Sequence, residues 1–386
     1  MTIKRTYEEI NAKIKSGKVV IVTAEEIIPI VEEKGIKKAT EEIDVVTTGT
    51  FGPMCSSGVI LNFGHSDPPI RMQKVWLNDV EAYAGLAAVD VYLGATQLSE
   101  RQGMEYGGAH VIEDLISGKK IKLKAISRGT DCYPRREIET YITKKSINQA
   151  ILFNPRNGYQ NYNVAVNTSE RKIYTYMGIL LPDLGNASYS TSGQLSPLLN
   201  DPEFTTIGIG TRIFLGGAQG YIVWEGTQFY PQVIKDESGK SIHKGGTLAV
   251  IGDLKEMSPD YICAATFKGY GVTLVVGIGI PIPIINSEIM KSVAVKDEDI
   301  WTEIIDYSFP HLKRPSLGRV NYKQLREGNI KIRGRDVPVS PLSSYAKARE
   351  IAQKLKEEIL RGNFLLQEPI QKFPQKSKFK PLLEIR

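Results

Sequence analysis

The stretch Asp44-Val45-Val46-Thr47-Thr48-Gly49-Thr50-Phe51-Gly52-Pro53-Met54-Cys55-Ser56-Ser57-Gly58-Val59-Ile60-Leu61-Asn62 decides how the chain is read. Residues 44–51 and 59–62 are rich in β-branched side chains and read as strands. Gly52, Pro53 and Gly58 mark a tight turn between them, and a cysteine sits inside it. Before this unit, residues 7–15 follow a helical period stopped by Gly17, and 19–22 form a short strand. Thr23 and Glu26 then make a capping box for a helix over 24–34. After it, Asn78-Asp79-Val80-Glu81 reads as a second capping box with helix to about Val91. Residues 109–116 read as a third helix closed by Gly118, ahead of a strand over 121–126.

From about 157 to 285 short strand-like runs recur between glycine-containing turns, which predicts a largely antiparallel region. Residues 343–361 form a strong amphipathic helix with Gly362 at its end. The fold class expected is α/β in the mixed α+β sense. It is one compact unit over 1–370, with an alternating helix/strand N-terminal part and a strand-rich middle. Its lobes, 1–156 and 157–340, are intergrown, and 371–386 is a basic, solvated tail suited to an acidic partner.

The hydrophobic share of 41% and charged share of 24% suit a globular protein in water. The N-terminus is polar and the longest apolar run, 272–285, contains Pro281 and Pro283. At ~20 residues per span it is too short to cross a bilayer, so no membrane role and a cytoplasmic location are expected. A formal charge of +6 is modest and lacks the dense basic face that nucleic acid requires. The four histidines, His65, His110, His243 and His311, show no metal-ligand spacing, and no Cys-x-x-Cys occurs. The glycine-rich run 208–220 lacks the spacing of a phosphate loop, and its glycines read as turns.

Three cysteines remain. Cys55 reads as a nucleophile or persulfide carrier, with Ser56, Ser57 and backbone amides as donors to a thiolate or oxyanion. Cys132 lies in Ser127-Arg128-Gly129-Thr130-Asp131-Cys132-Tyr133-Pro134-Arg135-Arg136, where the arginines favour thiolate. Arg128 and Arg135 suit a substrate carboxylate and Asp131 a substrate ammonium. His65 is a candidate acid or base. Cys263, in an apolar strand, reads as structural. A minority reading joins Cys55, Cys132 and Cys263 around an iron–sulfur cluster.

Taken together, the Gly-Pro-Met-Cys-Ser-Ser-Gly loop, the Arg-Gly-Thr-Asp-Cys-Tyr-Pro-Arg segment and Thr211-Arg212-Ile213-Phe214-Leu215-Gly216-Gly217-Ala218-Gln219-Gly220-Tyr221 resemble the homocysteine biosynthesis family of anaerobes, over about residues 5–370. Its members are L-aspartate semialdehyde sulfurtransferases. The resemblance implies that the aldehyde oxygen of L-aspartate semialdehyde is replaced by sulfur and the product reduced to homocysteine, the precursor of methionine. Two essential cysteines are implied, at Cys55 and Cys132. No cofactor is implied within this chain, and none of the CBS or ferredoxin-like domains of some relatives follows residue 386. Partners are then a sulfur donor and a separate ferredoxin-like iron–sulfur protein. A homo-oligomer is compatible with all of this. Competing readings are a sulfur carrier or iron–sulfur scaffold, and a thiol acyltransferase with a Cys55 thioester and His65 as base.

Overall fold

The computed structural model describes residues 4–157, 161–235, 241–311, 313–377, 380 and 382. The chain opens with α1 (Tyr7–Lys15), whose Thr6 and Glu9 cap each other and whose Ile10 and Ile14 are buried. After β1 (Ile21–Thr23) the Thr23/Glu26 box is present, with Thr23 N donating to Glu26 Oε2 at 2.7 Å and Glu26 N to Thr23 Oγ1 at 3.3 Å. The helix it opens, α2 (Ile27–Glu42), continues past the expected end at residue 34. Gly35, at φ 77°, bends it instead of ending it. Next come β2 (Val45–Thr47), β3 (Thr50–Pro53) and β4 (Gly58–Asn62), so the decisive stretch is strand, strand, turn, strand.

A helix over 79–91 does not form. Asn78 and Asp79 take φ of 50° and 63°, and Leu77 pairs with Val80. Two consecutive residues at positive φ make the tight hairpin turn that matches strand twist. Asn and Asp tolerate this geometry as well as they cap helices, so the same two residues served a turn between Lys74–Leu77 and Val80–Ala82.

The strand-rich middle is confirmed, and its strands join those of the N-terminal part. A nine-stranded antiparallel sheet runs Ile262–Phe267, Gly271–Gly279, Arg212–Leu215, Ala218–Glu225, Leu248–Asp253, Gln149–Asn157, β4, Asp90–Gly94, with β3 added on Gly271–Gly279. One face buries Val272, Leu274 and Val276 in the main core, against α3 (Gly108–Ile116). The helix Tyr345–Leu360 lies on the other face of this region. It approaches so closely that a Cβ at Gly49 would stand 2.1 Å from Ala348 O. A second, six-stranded antiparallel sheet carries Ile121–Ile126 and Glu137–Ile142, the strands flanking the Cys132 loop. A third, mixed sheet is built from Val164–Val166, Ala187–Tyr189, Trp301–Asp306 and three more strands, around its own core of Tyr189, Tyr322 and Val337.

The architecture is therefore mixed α and β. The basic tail starts differently from the solvated run expected: Gln371 bridges Ile209, and Phe373 is buried at 5.5 Å from the Phe204 ring and 5.3 Å from Phe229. Among the described residues no helix is long and apolar enough to cross a membrane.

Candidate active site around Cys55

Strand pairing builds this site. Pro53 sits opposite Val275, and Met54 N donates to Leu274 O at 2.7 Å, which holds the end of β3 against Gly271–Gly279. The turn then closes on itself, with Ser57 N and Ser57 Oγ both donating to Met54 O. Cys55 emerges half-buried from this knot, and Thr273 Oγ1 donates to Cys55 Sγ at 3.2 Å. Thr273 is fully buried, so its hydroxyl has no water to turn to. Such a bond strengthens as the sulfur becomes negative.

Ser56 and Ser57 do not serve the sulfur as expected. Ser56 Oγ lies 3.0 Å from Asn154 Oδ1 and 2.9 Å from Arg156 O, and Asn154 Nδ2 donates to Ser57 Oγ at 2.9 Å. Both serines tie the turn to the neighbouring strand. The donor that does reach the sulfur, Thr273, is 218 residues away in sequence. Its only signal was a hydroxyl in an otherwise apolar run, Val272-Thr273-Leu274-Val275-Val276.

Over the sulfur lies a cavity of about 60 Å³ lined by Pro53, Cys55, Tyr162, Tyr176, Met177, Ser190 and Leu342. Tyr162 lies just before the third sheet's strand Val164–Val166, and Tyr176 and Met177 form the turn of the hairpin that follows it, a region with no sequence signal linking it to Cys55. The phenols form a chain: Tyr162 and Tyr176 hydroxyls lie 2.8 Å apart, Tyr176 and Tyr307 3.0 Å, and Asn163 Nδ2 donates to Tyr307 at 3.1 Å. Burial, then the neighbouring Tyr176, pushes the Tyr307 phenol well above its ordinary range. The phenols thus form one continuous hydrogen-bonded line from the cavity to Asn163. A cleft of about 380 Å³ elsewhere is lined by charges that pair among themselves, Lys296 with Glu32 at 2.5 Å and Lys323 with Glu298 at 3.0 Å, and has no comparable chemistry.

Cys132 is exposed, in a turn closed by bonds between Thr130 and Tyr133. Gly129, at φ 79°, lets the chain enter it. The turn leans on residues 65–73: the His65 and Tyr133 rings stack at 5.9 Å, and Arg128 N donates to Gln73 Oε1. Arg135 donates to Pro68 O at 2.9 Å and Asp67 O at 2.6 Å. Arg135 is thus a strut for the loop, and His65 belongs with Cys132 and not with Cys55. Arg128 and Asp131 remain exposed at the turn.

The cavity over Cys55 does not include Cys132. Cys55 precedes the first residue of β4 and the seat of the Cys132 turn follows the last. Five strand residues separate these ends by about 13 Å at ~3.3 Å per residue. Cys263 shares the sheet face of Cys55, since it pairs with Val275, which pairs with Pro53. Two strand spacings of ~4.8 Å put it about 10 Å from the turn. Burial, then Glu113, pushes the Cys263 thiol up, as suits a packed side chain. Among the described residues no group of three or more Cys, His, Asp or Glu could hold a metal ion.

Residues 19–366 match the family described as homocysteine biosynthesis enzyme, sulfur-incorporation. The chain belongs to this family. It is 53% identical to the L-aspartate semialdehyde sulfurtransferase of Methanosarcina acetivorans, in an alignment covering 98% of this chain and 74% of that protein. It is 55% identical to the protein of the same name from Methanocaldococcus jannaschii, over 95% of this chain and 73% of that one. An uncharacterized protein of Methanothermobacter thermautotrophicus is 29% identical over 79% of this chain. No solved structure matches. For a homocysteine biosynthesis family member, an enclosed thiol with hydroxyl donors and a second, exposed thiol are the natural places to look for sulfur chemistry.

Proposed function

We propose that the protein is an L-aspartate semialdehyde sulfurtransferase in which Cys55 carries the transferred sulfur. The observation that carries this reading is the Cys55 sulfur itself, half-buried, bonded by Thr273 and beside a cavity lined by Tyr162 and Tyr176. A persulfide there, formed when a donor passes sulfane sulfur to the Cys55 thiolate, would be shielded from water and from other thiols.

The terminal persulfide sulfur attacks the aldehyde carbon, and the carbonyl oxygen takes a proton to become a hydroxyl. Tyr162 or Tyr176 supplies that proton, replenished along the phenol chain. A thiolate then attacks Cys55 Sγ and breaks the sulfur–sulfur bond, releasing the substrate as a thiol-bearing hemithioacetal. Loss of water leaves a thioaldehyde. Two electrons and two protons reduce it to homocysteine, and two more reopen the disulfide. An external iron–sulfur protein is the proposed electron source.

Cys132 is the proposed attacking thiolate. A disulfide needs Cα atoms within ~4.4–6.8 Å, so the Cys132 turn has to leave its seat on residues 65–73, or come from a second copy of the chain. Arg128 and Asp131 would travel with it and meet the substrate carboxylate and ammonium. The test is an anaerobic assay of L-aspartate semialdehyde with a sulfur donor and a strong reductant, following homocysteine. Mass spectrometry of the non-reduced protein during turnover then reports whether a Cys55–Cys132 disulfide forms, and whether within or between chains. Cys→Ser variants at either position that keep the parental rate would remove the scheme.

A further inference from the structure

The cavity over Cys55, at about 60 Å³, is a small one for the substrate proposed for it. One of its walls, Tyr176, is also a wall of a larger cleft of about 440 Å³. That cleft is lined by Arg171, Tyr174, Tyr176, Tyr270, Phe309 and Arg314, among others. The half-buried Tyr176 ring thus faces both spaces.

The cleft's chemistry is specific. The Arg314 guanidinium lies over the Tyr307 ring at 4.1 Å, and its Nε is 3.4 Å from Phe309 O. Arg171, also in the lining, is exposed. No ion pair joins either guanidinium to a carboxylate among the described residues, whereas Lys119, Lys291, Lys323, Arg349 and Lys356 each have one. The nearby acid, Asp306, is already held by Thr168 and by Ser308 N. Tyr174, Tyr270 and Phe309 are 45%, 41% and 44% exposed, so the walls are aromatic and open. Two unspent guanidinium forks between aromatic walls suit a small carboxylate.

We propose that this cleft is a carboxylate-binding antechamber, from which a zwitterionic amino-acid aldehyde, held by its carboxylate, reaches Cys55 when the Tyr176 ring turns aside. The inference rests on Cys55 being the reacting thiol. Tyr176 is suited to gating because its restraints are replaceable: hydrogen bonds to two other phenols and edge contacts with the Tyr162, Tyr270 and Tyr307 rings. Turning it joins the two compartments.

The test uses the full chain and two alkylating probes of similar size, anionic iodoacetate and neutral iodoacetamide, with Cys55 modification followed by peptide mass spectrometry. In the parent, iodoacetate gains from the arginines. Replacing both, Arg171→Gln with Arg314→Gln, lowers the iodoacetate rate about tenfold, as expected when a single-sign cleft stops concentrating an anion. The iodoacetamide rate stays within about twofold, Lys15→Gln on α1 changes neither, and Arg314→Lys keeps most of the selectivity. Added L-aspartate slows iodoacetamide in the parent and not in the double variant. An unchanged iodoacetate-to-iodoacetamide ratio overturns the proposal, as do equal changes in both rates or no modification of Cys55 by either probe. Failure of the sulfur-transfer reading would show separately, as homocysteine formation by Cys55→Ser, and would leave the alkylation ratio to judge the cleft alone.

Discussion

Between residues 53 and 58 the chain is clamped by β3, by the Thr273 hydroxyl and by Asn154, whereas between 129 and 134 it touches little beyond its own backbone and the His65 ring. Both segments are glycine-bearing turns after a strand, and both hold a cysteine. The fold gives one of them a half-buried, hydrogen-bonded thiol and the other an accessible one. Enclosure protects a reactive sulfur species and fixes its geometry; exposure lets a thiol travel and exchange. A two-thiol reaction needs both properties, and no single site supplies them together.

Four substitutions would break or sharpen this contrast. The largest effect is expected from Cys55→Ser, which removes the sulfur-bearing atom and lowers homocysteine formation by roughly a thousandfold or more, read in the anaerobic assay. Cys132→Ser comes next. It leaves a first, single-turnover uptake of sulfur on Cys55 intact and lowers steady-state turnover by about a hundredfold. Equal loss of both phases would show that Cys132 is more than an exchange partner.

Thr273→Val is expected to cost about tenfold in the rate of Cys55 alkylation at pH 7. One hydrogen bond to a charged sulfur is worth about 1.5 kcal/mol, and ~1.4 kcal/mol is tenfold. Thr273→Ser, which keeps the hydroxyl, restores the rate. The smallest effect is that of Cys263→Ala, with turnover within about twofold of the parent. Because burial and Glu113 hold the Cys263 proton on, this thiol is also expected to alkylate last of the three below pH 9. Rapid modification of Cys263 would mean that the sheet face it shares with Cys55 opens more than the structure implies.

Much of this was legible in the sequence because it is local. The Thr23/Glu26 box, the stops at Gly17, Gly118 and Gly362, and the two loop thiols depend on neighbours within a few residues, and each is where its pattern put it. Asn78-Asp79 failed for a local reason, since the same residue types serve helix caps and tight hairpins. The surroundings of Cys55 were illegible for a different reason. Thr273, Tyr162 and Tyr176 reach the sulfur through pairing and sheet packing across 107 to 218 positions, which no spacing in the chain announces. His65 was placed near Cys55 by sequence proximity, and β4 carries it to the far end of the strand.

The most direct test is to load the protein anaerobically with a sulfane-sulfur donor, digest it without reductant and locate the added sulfur by mass spectrometry. The account predicts one extra sulfur atom on the peptide containing Cys55, discharged when L-aspartate semialdehyde is added. Sulfur found only on Cys132, or sulfur on Cys55 that survives the aldehyde unchanged, would contradict it.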